Sequence, residues 1–184
     1  MNAVNPTHTS DAVVTGVFAN TKDAENAYNA LINHGFSSKD ISVLMSDETR
    51  ERFKDQENTS ELGNKALEKA GVGSAIGGAA GAIVGAIAAL GTVVVLPGLG
   101  LVVAGPLLAA LTGAGAGGLT GGIIGALVGS GIPQERAEYY ENSLKEGGIV
   151  LGVTPRSDAE YEVIAQELQR SGGQEIHSRS SIDL

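Results

Sequence analysis

The sequence predicts an α+β fold: a ferredoxin-like sandwich of two βαβ-like halves, interrupted by a long antiparallel helical hairpin whose arms meet along glycine. Three observations predict it. A strand, a helix led by Asp-Ala-Glu, a glycine and a second strand occur around Asp23-Ala24-Glu25 and Gly35, and again around Asp158-Ala159-Glu160 and Gly172. Between the two copies, the stretch from Ala70 to Gln134 contains no Asp, Glu, Lys, Arg or His. Within that stretch glycine recurs every fourth residue, first as Gly73, Gly77, Gly81 and Gly85, then as Gly113, Gly117, Gly121, Gly125 and Gly129.

In chain order, residues 1–11 read as a disordered lead without the apolar core of a secretory signal. The first half of the α+β domain is 12–46. Ala12 to Ala19 is rich in Val and reads as a strand. Asn20 or Thr21 caps a helix whose first turn carries Asp23 and Glu25, on the side that the helix dipole favours. Its buried stripe is Ala24, Ala27, Tyr28, Leu31 and Ile32, and Gly35 ends it. Ile41, Val43 and Met45 alternate in a second strand over 40–46. Residues 47–64 form a charged linker, a mobile or irregularly helical segment before the insert.

The insert, 65–131, is read as two helices, roughly 65–92 and 106–130. Residues four apart share one helix face, so each glycine ladder is a groove free of side chains. Glycine costs about 1 kcal/mol against alanine inside a helix, and close backbone packing of the small-xxx-small kind is what compensates. Run antiparallel, Gly73 meets Gly129, Gly77 meets Gly125, Gly81 meets Gly121 and Gly85 meets Gly117, symmetrically about Leu101. The turn is placed at Pro97, Gly98 and Gly100, with Pro106 opening the second arm. The larger residues, among them Ile83, Ile87, Leu107, Leu108, Leu111, Leu119, Ile123 and Leu127, point away from the zipper and need a second cover.

The second half of the domain is 132–180. Ile132-Pro133 opens a helix with Ala137, Tyr140 and Leu144 on one face, stopped by Gly147-Gly148. A strand follows over 149–154. Ser157 and Asp158 cap the next helix, whose apolar side is Tyr161, Val163, Ile164 and Leu168. Gly172-Gly173 closes it before a short polar strand over 174–180, and 181–184 is a tail.

Three segments resemble the bacterial general stress proteins, the heat-induced and low-temperature-induced kind. They are Val14 to Phe18 with Gly35-Phe36 and Ile41-Ser42-Val43; the glycine-alanine centre with Pro97-Gly98 and Ala104-Gly105-Pro106-Leu107; and Gly131-Ile132-Pro133 with Ala137, Tyr140-Glu141, Leu144 and Gly147-Gly148. The resemblance implies a stress-linked protein with a glycine-zipper insert and no catalytic residues to carry over.

Chemistry is sparse. With no cysteine, the 184-residue chain has no disulfide, thiolate metal ligand or thiol nucleophile. A formal net charge of −9 argues against nucleic acid and against simple adhesion to anionic lipid. Gly113, Gly115 and Gly118 with Glu138 imitate a dinucleotide loop, but no strand precedes them. His8, His34 and His177 are isolated, and Ser74 and Ser130 have no histidine or carboxylate near them in sequence. No cofactor, metal or small molecule is expected, and no enzymatic activity. Tyr139 and Tyr140 fit either a membrane interface or, for Tyr140, the sheet–helix core.

The cover over the apolar faces decides the function. One reading is insertion into the cytoplasmic membrane as an oligomer, with the soluble domain facing the cytoplasm; each arm is long enough to cross a core of about 30 Å. The alternative is a cytoplasmic homo-oligomer in which hairpins bury one another. A small-ligand sensor or enzyme on the α+β domain ranks third.

Overall fold

In the computed structural model of the chain, residues 13–52, 93–96, 100–108, 122–129 and 132–177 are described. Strands β1 (Val14–Phe18), β2 (Ile41–Ser46), β3 (Val93–Leu96), β4 (Leu101–Ala104), β5 (Ile149–Val153) and β6 (Gln174–His177) form one antiparallel sheet in the order β3-β4-β2-β5-β1-β6. Helices α1 (Thr21–Asn33), α2 (Gly122–Gly129), α3 (Gln134–Lys145) and α4 (Asp158–Arg170) cover it.

Strands β1 and β2 are joined by α1, and β5 and β6 by α4. Each half leaves a gap that one strand of the other half fills: β5 lies between β2 and β1, and β1 between β5 and β6. The helix starts and stops follow local chemistry. Asn20, in extended backbone, accepts the Asp23 N–H at 2.9 Å, which satisfies one of the donors left open at the start of α1. Gly35, Gly147 and Gly172 follow the C-termini of α1, α3 and α4 with φ of +87°, +93° and +88°, the left-handed turn that glycine adopts without strain. Ser157 precedes α4 in extended backbone but makes no capping hydrogen bond with its side chain.

Alternation along the strands splits the core in two. Val14, Phe18, Ile41, Val43, Met45, Ile149, Leu151 and Val153 face α1 and α4, meeting Ala24, Ala27, Tyr28, Leu31, Ile164 and Leu168. Val17, Leu44, Leu101, Val103 and Val150 face the other way, toward α2 and α3. The domain is therefore a three-layer arrangement, with α1 and α4 on one face of the sheet and α2 and α3 on the other. The physical reason is that β2, β4 and β5 carry apolar side chains at both parities, so each face needs a cover. Val163, expected in the α4 stripe, is exposed, while Ile164 and Leu168 are buried.

The largest departure lies in the insert. The expected inter-helix connection contains β3 and β4, paired in continuous register from Val93↔Ala104 to Leu96↔Leu101 and joined to the sheet through β4 and β2. The pairing is centred between Gly98 and Leu99, not on Leu101. Val93-Val94-Val95 and Val102-Val103 are β-branched and sit flat on a pleated surface, which outweighs any helical continuation. The second arm is not one helix over 106–130 either. Gly122, the first residue of α2, has a φ of +65°, a left-handed conformation that ends any helix running into it from the N-terminal side.

Candidate functional site

The candidate site is the uncharged insert and its seat on the sheet. Of the predicted packing glycines, Gly125 and Gly129 lie on α2. Gly73, Gly77, Gly81, Gly85, Gly113, Gly117 and Gly121 lie outside the described residues, as does the first arm, 65–92. Of the predicted turn, Pro97 and Gly98 lie outside them as well. Gly100 takes a φ of +62° in open space, and its carbonyl accepts the Asp47 N–H at 2.8 Å, extending the ladder beyond β2. Residues 1–11 and 181–184 are outside the described set, and the linker contributes a helical segment over 47–52.

The seat is built at one corner. After β4, Gly105 turns the chain over the sheet with a φ of +87°, and a Cβ there would run into the backbone of Ile41 and Ser42. Only glycine fits that approach. The Leu107 N–H then donates to the buried Ser42 Oγ at 2.9 Å, and the Leu107 side chain lies over Gly152 of β5, where an added Cβ would come within 3.2 Å of it. Ile123 and Leu127 of α2 join Leu107 in the second core, against Ala137, Tyr140 and Leu144 of α3. The α3 stripe is the one read from the sequence, and the Ile132-Pro133 helix start stands too, the Ile132 N–H closing α2 on the Leu127 carbonyl.

Tyr140 occupies the sheet–helix core, one of the two positions expected for it. Its hydroxyl donates to the Glu175 carbonyl at 3.3 Å, leaving the buried Thr15 hydroxyl to donate to the Tyr140 oxygen at 2.7 Å. Burial pushes the Tyr140 hydroxyl above its ordinary value, with the Thr15 hydrogen bond and Arg136 pulling partly back. Arg136 also donates to the Glu175 carbonyl at 3.1 Å. These contacts hold Glu175 at a φ of +47°, the one non-glycine residue with positive φ among those described, where the β1–β6 register shifts. Sequence reasoning missed this clasp; the only signal for it was the Tyr139-Tyr140 pair.

His8, Ser74, Ser130 and the glycines Gly113, Gly115 and Gly118 lie outside the described residues, and the candidates within them form no reactive constellation. His34 caps α1 and sits 3.3 Å from Glu167 of α4. Glu138 is exposed on α3 and takes the Gln134 amide. Among the described residues no group of three or more His, Cys, Asp or Glu is arranged to hold a metal ion. A hollow of about 150 Å³ lies beside β1 and β6, lined by Val17, Tyr139, Ser143, Glu146 and Gln174 among others. That is below the roughly 300–1,000 Å³ typical of small-molecule sites. No helix among the described residues is long and apolar enough to cross a membrane.

No protein-family model, no curated protein and no solved structure matches this chain.

Proposed function

We propose that this chain is a non-enzymatic, stress-associated cytoplasmic protein that works by assembling with copies of itself through its uncharged insert. The α+β domain, whose β2-β5-β1-β6 order with its two split βαβ units we read as ferredoxin-like, is the soluble carrier. The stress association rests on the resemblance to the general stress proteins. The assembly reading rests on the seat of the second arm. Leu107, Ile123 and Leu127, which the sequence left in need of an outside cover, are buried against the chain's own sheet. That cover removes the demand for lipid around α2 and leaves self-association to the rest of the insert.

Membrane association is the second reading, with the domain on the cytoplasmic face. The observation that favours it is the absence of any charged side chain from Ala70 to Gln134. Cell fractionation with carbonate and high-salt washes, followed by light scattering of the detergent-free soluble protein, separates the two. Recovery as a soluble oligomer is expected. Retention in carbonate-washed membranes overturns assembly in favour of insertion, and a soluble monomer at all concentrations overturns both.

A further inference from the structure

We propose that β3 is a dimerisation edge, pairing antiparallel with β3 of a second copy of this chain to continue the sheet across a two-fold axis. The inference deepens the assembly reading and depends on it, but assigns the contact to a strand edge rather than to the glycine ladders.

The two edges of the sheet are built differently. Proteins block edge-to-edge pairing with charge, bulges and covering groups. Edge β6 has all three: the exposed Glu175, a register shift against β1, and a Glu175 carbonyl drawn to Arg136 and Tyr140 of α3. Edge β3 has none of them among the described residues. Its sequence is Val93-Val94-Val95-Leu96, its register on β4 is unbroken, and Val94 and Val95, which point to opposite faces, are 36% and 42% exposed. In a chain of formal charge −9, this edge offers no charge to repel its own copy.

The asymmetry also fixes the form of the assembly. Two open edges would propagate a fibre, whereas one open and one blocked edge close on a dimer with an isologous interface. Symmetry then restricts the register. Residues directly opposed in an antiparallel pair are either both hydrogen-bonded across it or both not. A two-fold axis therefore passes midway between a residue and its own copy. With the pairing centred on β3, that residue is Val94 or Val95.

The test uses the absence of cysteine, which makes any introduced one unique. Full-length Val94→Cys, Val95→Cys and, as a control on the other edge, Glu175→Cys are exposed to dilute oxidant and run on non-reducing gels. Self-opposed Cα atoms in an antiparallel pair are about 4.5–5.5 Å apart, within disulfide reach. One of the two β3 variants is expected to give a reducible dimer band, well above Glu175→Cys. The double variant Val94→Lys/Val95→Lys is expected to weaken dimerisation at least about tenfold by light scattering, with an unchanged circular dichroism spectrum. If the wild-type chain is an oligomer while neither β3 cysteine links above the control and the lysine variant keeps the same mass, the edge proposal alone is wrong. Equal linking at Glu175→Cys refutes the closed arrangement. A wild-type chain that is monomeric throughout refutes the assembly reading and this proposal with it.

Discussion

Leu127→Ala tests whether α2 belongs to the sheet. Leu127 is 1% exposed in the second core, and Val128, its neighbour on the same helix, is 42% exposed. The substitution removes about three carbons, worth roughly 0.8 kcal/mol each by transfer. A residual cavity adds to that and brings the measured range for buried Leu→Ala to about 2–5 kcal/mol. With only eight residues in α2, the helix can settle inward and fill part of the space. The expected loss is therefore in the lower half of that range, about 2–3 kcal/mol, or about 5–10 °C in Tm for a chain of this size. Val128→Ala removes two carbons already partly in water and gains helix propensity, so its expected effect is below about 0.5 kcal/mol. Urea unfolding followed by circular dichroism measures both, with equal m-values as the check that the denatured state has not changed. Equal effects from the two variants, or a loss below about 1 kcal/mol for Leu127→Ala, refute the seating of α2 on the sheet.

Further outcomes follow from the same packing. Tyr140→Phe strands the Thr15 hydroxyl, 2% exposed, and is expected to cost about 1–3 kcal/mol in urea unfolding. Burial raises both Tyr28 and Tyr140 above their unfolded value near 10, so the stability tied to them is fully present below about pH 10 and is lost as pH rises through the raised folded values. Unfolding free energy measured against pH should therefore fall above about pH 10, less steeply in Tyr140→Phe. Gly105→Ala forces a side chain into left-handed backbone and against Ile41 and Ser42, and is expected to cost about 3 kcal/mol or more by thermal unfolding. If glycine ladders pack as the sequence predicts, Gly81→Leu brings aggregation or protease sensitivity while Ala82→Leu, off the ladder, is milder; equal damage marks the ladder as compositional.

Much of the fold was legible because its signals are local and mixed in polarity. The Asn20–Asp23 cap, the Ala137, Tyr140, Leu144 stripe and the repeated Asp-Ala-Glu helix starts each stand out against polar neighbours. Where polar residues vanish, so does the period. From Ala70 to Gln134 neither a 3.6-residue nor a two-residue alternation can be read, and the fourfold spacing of glycine fills the gap. The strand pair was nonetheless marked by two β-branched runs around Leu96-Pro97-Gly98, which is a hairpin signal as much as a helix break. The second helical layer had a signal too. Val17, Leu44 and Val150 occupy the face left after Phe18, Val43 and Leu151 are assigned inward, and a sheet apolar on both faces is covered on both. The Glu175 clasp was not legible, since it joins residues from β1, α3 and β6 through geometry that no single segment encodes.

The attachment points of the insert limit any crossing of a bilayer. Within it, Val93–Leu96, residues 100–108 and Gly122–Gly129 are held on the domain. A helical crossing needs about 20 apolar residues, and 109–121 is shorter than one. Ala70 to Thr92 suffices for a single crossing, but 53–92 connects the helical segment 47–52, which follows β2, to β3 of the same sheet, so crossings must come in pairs. The returning pass would carry Lys54, Asp55, Glu57, Glu61, Lys65, Glu68 and Lys69 into the hydrocarbon, at about 2.5–3.5 kcal/mol for each Lys or Asp near the centre. A two-arm crossing therefore requires Leu107, Ile123 and Leu127 to leave the sheet, uncovering Val17, Leu44, Val103 and Val150 in water.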